Sequence, residues 1–197
     1  MIFAFYSTMR ALTFAEASPQ DTLVARLRAG DNHALGEVYD QHHEAVRAFA
    51  SRLVGDLAIA EDLVHEVFVA LPRVIKRYQG ESTLRSFLTG VAINHARHYV
   101  RSAGRRRAML ARAGKEPLPE SGSPESSAER QAFLAALNRA LDALPIEQRV
   151  AFVLCDVEER TSAEAAELTG APEATVRTRL FHARRKLRAA LEKEGVR

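Results

Sequence analysis

Apolar residues recur along this chain at intervals of three and four, the period of an α-helix that buries one face. The clearest example follows Asp56, a residue that can begin a helix, where Leu63, Val64, Val67 and Phe68 form one apolar stripe. β-branched runs are short, and no hairpin dipeptide separates alternating segments. The pattern therefore predicts an all-α protein.

The stripe continues through Leu71, Val74 and Ile75, and Pro72 falls inside this last stretch. A proline in a helix interior removes one backbone hydrogen bond, and its ring clashes with the preceding turn. We therefore expect the helix to kink or to split at Pro72.

The helical pattern is interrupted over residues 113–127, where Pro, Gly, Ser and Glu predominate. Such a segment cannot bury enough surface to offset its ordering entropy, so it should be a flexible linker. Two small helical domains are predicted on either side, 20–112 and 128–194, and residues 1–19 form an N-terminal extension in which Met9 is a second candidate translation start. In the second domain, a single helix should carry Val150, Val153, Leu154 and Val157.

The C-terminal domain has the layout of a helix-turn-helix. Thr161 and Glu164 fit a capping box, Gly170 suits a tight turn, and Pro172 suits the first position of the next helix. From Arg177 to Arg188 there are six Arg or Lys residues and no carboxylate. A helix that is merely solvated usually mixes both charge signs. The pattern therefore favours a DNA-recognition helix over an ordinary helical hairpin.

A second basic segment ends the N-terminal domain. From His95 to Lys115 there are seven Arg or Lys residues and no acid, which suits phosphate neutralisation. The polar loop Tyr78–Thr83 lies upstream and carries one aromatic residue and one glycine. Such a loop can hold an unstacked base, although a plain connector has the same composition.

Composition limits the other function classes. Cys155 is the only cysteine, so an internal disulfide is impossible and a reducing cytoplasm is expected, with the thiol packed among apolar neighbours. No segment approaches the roughly 18 uninterrupted apolar residues of a membrane span. His95 and His98 offer only two potential metal ligands, and no phosphate-binding glycine loop or nucleophile elbow occurs. We expect no catalytic residues, no metal and no cofactor.

Four segments, in this order, resemble extracytoplasmic-function sigma factors, the smallest members of the sigma-70 family. They are residues 60–68, residues 78–94, residues 144–149 and residues 172–180, and the resemblance extends from Asp21 to Leu191. It implies a protein that binds core RNA polymerase through the β′ clamp helices and the β flap, recognises and melts promoter DNA, and is restrained by an anti-sigma factor. A free-standing helix-turn-helix regulator is the alternative, but it would have no use for the segment Asp62–Phe68.

The resemblance also implies roles for individual residues. The surface that docks on polymerase would consist of Asp62, Leu63, Val64, Glu66 and Val67. The site for the minus-ten element would consist of Tyr78, Gln79, Gly80, Glu81, Ser82, Thr83, Leu84 and Asn94, with Arg97, Arg101 and Arg105 supporting the strand backbone. The minus-thirty-five element would be bound by Arg177, Thr178, Phe181, His182, Arg184 and Arg185.

This chain departs from the family pattern at three other points. Phe87 stands where tryptophan is frequent, and Cys155 stands where arginine is common. His182 replaces a frequent arginine, so we expect an unusual minus-thirty-five specificity that is partly sensitive to pH, because histidine ordinarily titrates near about 6.5.

Overall fold

A computed structural model of the protein describes residues 19–112 and 136–193, with side chains described over 19–103 and 136–193. The predicted linker over 113–127 and most of the predicted N-terminal extension lie outside the described residues. Within the described ranges every regular element is helical. The prediction of an all-α protein is confirmed.

Four helices form the N-terminal half. They are α1 (Pro19–Arg28), α2 (Asn32–Val54), α3 (Leu57–Val74) and α4 (Leu84–Arg112). Asp56 caps α3 as predicted, because its carboxylate accepts a hydrogen bond from the Ile59 amide at 3.0 Å. Helices α2, α3 and α4 pack on one another around the apolar stripe of α3.

Helix α3 does not split at Pro72. Helix α3 continues through Pro72 to Val74 and then tightens into a 3₁₀ turn over Ile75–Arg77. The Ile75 amide still donates to the Leu71 carbonyl. Because Pro72 lies in the last turn, the helix loses little beyond the one hydrogen bond that proline cannot make.

The C-terminal half begins with α5, described over residues 136–142, and continues with α6 (Ile146–Phe152), α7 (Ser162–Thr169) and α8 (Glu173–Lys193). Helix α6 runs directly into a π-helical turn over Val153–Val157. Both bonds of the capping box between Thr161 and Glu164 are present. Gly170 ends α7 in the left-handed conformation, at a φ of 66°. Helices α7 and α8 thus form the predicted helix-turn-helix.

The sequence suggested that Pro172 occupies the first position of α8, and the structure corrects this. The helix begins one residue later, and the Pro172 carbonyl accepts the first helical hydrogen bond, from the Val176 amide at 3.1 Å. A proline suits this position because a residue just before a helix needs no backbone N–H to bond within that helix.

Both halves contribute to a single main hydrophobic core. Its buried members include Leu88 and Ile93 of α4 together with Val150, Leu154 and Ala165 of the C-terminal half. Cys155 is partly buried against this core, and burial raises the pKa of its thiol above the ordinary value. Helix α4 packs against both α6 and α7. In this structure the two helical domains are therefore closed on each other.

Candidate nucleic-acid interface

The loop between α3 and α4 exposes five polar or small residues to solvent. They are Gln79, Gly80, Glu81, Ser82 and Thr83. Gly80 has a φ of 81°, which a side chain would make unfavourable, and the Thr83 hydroxyl accepts from the Ser86 amide at the start of α4. The sequence-predicted loop is therefore present and accessible.

The sequence placed Tyr78 among the residues that would contact a minus-ten base. The structure instead buries its ring. Only 6% of the residue is exposed, and its ring centroid lies 5.2 Å from that of Phe87. Its hydroxyl donates to the Ser82 carbonyl at 2.5 Å and accepts from the Gln20 amide nitrogen at 3.1 Å. Leu84, at 2% exposed, belongs to the core. Both residues shape the loop from beneath.

Two residues that the sequence did not single out also hold this loop. Arg28 donates to the Tyr78 carbonyl and, at 3.5 Å, to the Ile75 carbonyl. Gln20 reaches the Tyr78 hydroxyl from the same helix, α1. No local pattern indicates these contacts, because about 50 residues separate α1 from the loop.

A cleft of about 540 Å³ lies beside the loop. Its walls include Ser82, Phe87 and Asn94 of the N-terminal half, and Glu167 and Leu168 of α7 close another side. Two predicted minus-ten residues, Ser82 and Asn94, therefore line the same cleft as residues of the C-terminal half.

Two basic residues of α4, Arg97 and Arg101, are paired with a carboxylate of the C-terminal half. Arg97, whose side chain is 14% exposed, donates to the Glu147 carboxylate at 2.8 Å and to the Thr169 carbonyl at 3.4 Å. Arg101 lies 3.7 Å from the same carboxylate. The Arg105 side chain lies outside the described residues. Two of the three predicted backbone-binding arginines therefore pair with the C-terminal half, Arg97 largely shielded from solvent and Arg101 with 58% of its side chain exposed.

Only two of the five residues predicted to dock on polymerase lie on the exposed face of α3. Asp62 and Glu66 are exposed, and Glu66 lies 2.9 Å from the His95 ring nitrogen. Leu63, Val64 and Val67 are buried, so they support the helix and cannot themselves form its outer surface. We call the exposed pair Asp62 and Glu66 the acidic face of α3.

Helix α8 presents a basic outer face while Val176, Leu180, Ala183 and Leu187 are buried. The predicted minus-thirty-five residues Arg177, Thr178, Phe181, Arg184 and Arg185 are exposed, and His182 is half-buried. Phe181 is 61% exposed, with the Arg185 guanidinium 6.0 Å from its ring centre. Exposed arginines and an apolar ring on one helix suit base edges and thymine methyl groups.

Two arginines at opposite ends of this face are held by different kinds of partner. Arg177 pairs with Glu173 one turn earlier on the same helix. Arg184 is paired with Asp156 from the π-helical turn, with its Nε 2.8 Å from the carboxylate. Arg184 is therefore oriented by the neighbouring element before any ligand binds.

Neither a metal site nor a membrane span is found in the described part of the chain. Over residues 19–112 and 136–193, no group of three or more His, Cys, Asp or Glu residues is arranged to hold a metal ion. No helix in that part combines the length and the hydropathy needed to cross a bilayer.

Two family models match the chain, one in each half. The model of sigma-70 region 2 matches residues 38–106, and that of sigma-70 region 4 matches residues 129–187. The chain is 34% identical over 187 residues to the ECF RNA polymerase sigma factor SigE of Mycolicibacterium smegmatis, covering 92% of this chain and 72% of that protein. It is 28% identical to the ECF RNA polymerase sigma-E factor of Escherichia coli K12, covering 86% of this chain and 93% of that protein.

Solved structures share the fold. The sigma factor RpoE of Bartonella quintana, crystallised with the anti-sigma factor NepR, superposes with a TM-score of 0.60 at 25% identity, covering 80% of this chain and 96% of that one. CnrH, solved in complex with the cytosolic domain of CnrY, gives a TM-score of 0.59 at 23% identity, with 87% and 96% covered.

Proposed function

The chain belongs to the extracytoplasmic-function group of the sigma-70 family, and from this premise we propose how its surfaces direct RNA polymerase to promoters. The loop over residues 79–83 and Asn94 engage the minus-ten element. The outer face of α8 engages the minus-thirty-five element, and the acidic face of α3 docks on the β′ clamp helices. The C-terminal half contacts the β flap.

One observation carries this proposal. A single chain combines an exposed polar loop beside a cleft with an exposed basic recognition helix in its C-terminal half. Two weak DNA-binding units in one chain raise the overall affinity through effective concentration. A free-standing helix-turn-helix regulator would not explain the match to sigma-70 region 2, so that alternative is not favoured.

Promoter opening requires one or more bases to leave the stack, which costs a few kcal/mol for each base. The cleft beside Ser82 and Asn94 offers polar partners for an extruded base, and Phe87 adds an apolar wall. Sigma factors are initiation factors, and polymerase carries out the chemistry of RNA synthesis. The chain's own contribution is to bind, orient and hold the opened strand.

Two further assignments follow from the same proposal. The chain acts where polymerase and chromosome meet, in the bacterial cytoplasm. The Bartonella relative was crystallised with an anti-sigma factor. We therefore include such a protein among the partners of this chain, beside core polymerase and promoter DNA.

Reconstituted transcription tests the function. Core RNA polymerase mixed with the purified chain should initiate at a defined start on templates selected by in vivo mapping of transcript ends after overexpression. Core enzyme alone is the control and should give no defined start. The function is wrong if the chain does not co-purify with core enzyme and the mixture initiates no better than core alone.

A further inference from the structure

Glu147, in the first turn of α6, lies between three arginines that come from two different helices. Its carboxylate is 2.8 Å from Arg97 and 3.7 Å from Arg101, both on α4, and 3.3 Å from Arg179 on α8. The Glu147 side chain is 26% exposed, so this cluster is partly shielded from water. One carboxylate therefore joins the N-terminal half, the C-terminal half and the recognition helix.

The chemistry of this cluster is that of a phosphate site. Guanidinium groups bind carboxylates and phosphates with the same planar fork of donors, and both ligands are held by charge-assisted hydrogen bonds. Arg97 and Arg101 are the arginines proposed to support the minus-ten strand. Three positive groups around a single carboxylate leave an excess of positive charge, which is the condition under which a nucleic-acid backbone can compete for them.

The contacts around Glu147 also close the cleft. The Arg97 guanidinium donates to the Thr169 carbonyl at the C-terminal end of α7, where the helix dipole favours a cation. Leu168 and Glu167 of α7 line the cleft opposite Asn94. Helix α4 packs against α7, and a Cβ added at Gly90 would make ordinary van der Waals contact with the Leu168 carbonyl, at 3.6 Å. A strand that follows α4 into the cleft must displace α7.

We propose that Glu147 is an internal substitute for a DNA phosphate, which keeps the polymerase-free chain closed and lowers its affinity for promoter DNA. The inference rests on the proposed function, since it concerns arginines that the family resemblance assigns to the minus-ten strand. Separation of the halves frees Arg97 and Arg101 and uncovers the cleft, while Arg179 stays beside Glu147 in the C-terminal half. DNA binding and opening are thereby coupled, because the carboxylate and the phosphate backbone compete for the same guanidinium groups.

Glu147→Gln tests the inference directly. The amide keeps the shape of the side chain and removes the charge that holds the three arginines. Without polymerase, the affinity of the full chain for a labelled single-stranded minus-ten oligonucleotide, measured by fluorescence anisotropy, should rise about fivefold, equivalent to about 1 kcal/mol. Transcription with core enzyme should start at the same site as with the unsubstituted chain.

A matched control separates this effect from general electrostatics. Glu192→Gln makes the same charge change at an exposed position near the end of α8. Its affinity for the oligonucleotide should change by less than twofold. If Glu192→Gln and Glu147→Gln raise the affinity equally, or if Glu147→Gln leaves it unchanged, the inference is wrong.

A second measurement does not depend on how well Glu147→Gln folds. A fluorescent donor at Glu44→Cys and an acceptor at Lys193→Cys, in a Cys155→Ala background, report the separation of the two halves by energy transfer. Transfer should fall when the oligonucleotide binds without polymerase. Binding with unchanged transfer would overturn the inference while leaving the sigma function intact, whereas failure of the reconstituted transcription would reject the function itself.

Discussion

The Tyr78 hydroxyl donates a hydrogen bond to the Ser82 carbonyl at 2.5 Å, and this bond ties together the two ends of the loop that precedes α4. Because the same hydroxyl accepts from Gln20, the loop is also connected to α1. The exposed residues between Tyr78 and Thr83 are thus presented on a braced backbone. Bracing before binding reduces the ordering entropy that a DNA strand must otherwise offset.

Removal of this hydroxyl should weaken promoter opening. Tyr78→Phe keeps the buried ring but deletes a hydrogen bond whose net value is about 1 kcal/mol. We expect a several-fold loss of permanganate-reactive thymines in the minus-ten region, measured with core enzyme. Binding to a duplex minus-thirty-five fragment is the control and should not change. Normal opening would show that the loop does not need this brace.

The acidic face of α3 should control polymerase binding. Asp62→Arg combined with Glu66→Arg places two cations where the proposed interface has two exposed anions, so association with core enzyme should weaken at least tenfold, about 1.4 kcal/mol. Co-purification or fluorescence titration with core polymerase measures the change.

A charge reversal far from α3 is the control for the double variant. Glu192→Arg alters the far end of α8 and should retain most of the polymerase affinity. Unchanged core binding by the double variant would remove the assignment of Asp62 and Glu66 to this interface.

Arg177 should determine sequence preference at the minus-thirty-five element. The residue is exposed early on α8, where a recognition helix meets base edges. Arg177→Ala should lose about 1–3 kcal/mol at a cognate site and much less on unrelated duplexes. Competition binding with single-base variants of the site measures the difference.

Arg188, three turns later on the same exposed face, provides the contrast. Arg188→Ala should weaken binding to all duplexes to a similar extent and lower the salt slope by about 1, as a phosphate contact does. If Arg177→Ala behaves in the same way, Arg177 is a phosphate contact and does not select a base.

The capping box of α7 should make the C-terminal half sensitive to acid. Hydrogen bonds from the Thr161 amide and hydroxyl lower the pKa of Glu164 below its usual 4.5. A carboxyl with a lowered folded-state pKa stabilises the fold above its unfolded pKa, and this contribution is lost as the pH falls through the folded value.

Urea unfolding measured between pH 6 and pH 3 tests this dependence. Glu164→Gln should flatten the part of the pH profile below 4.5, because the amide cannot titrate. Thr161→Ala should cost about 1 kcal/mol near neutral pH, the usual value of an N-cap. If Glu164→Gln loses stability in acid as steeply as the unsubstituted chain, the carboxylate is not the responsible group.

Local patterns predicted much of the fold and less of the site. The stripe of α3, the buried face of α8 and the caps at Asp56, Thr161 and Gly170 depend on residues within one or two turns of each other. Val157 shows the limit of periodicity: it was expected on the apolar face of α6 but is exposed. The π-helical turn over Val153–Val157 shifts the register, since its bonds span five residues instead of four.

What the sequence determined by itself was the set of helices, their caps and the two basic segments, because helical hydrogen bonds and amphipathic periodicity act between near neighbours. Tertiary structure alone decided that Tyr78 and Leu84 lie beneath the loop, that Arg28 reaches it from α1, and that Glu147 meets Arg97, 50 positions away along the chain. Contacts between distant segments depend on how whole helices pack, and the spacing of residues along one helix carries no information about which other helix will lie against it.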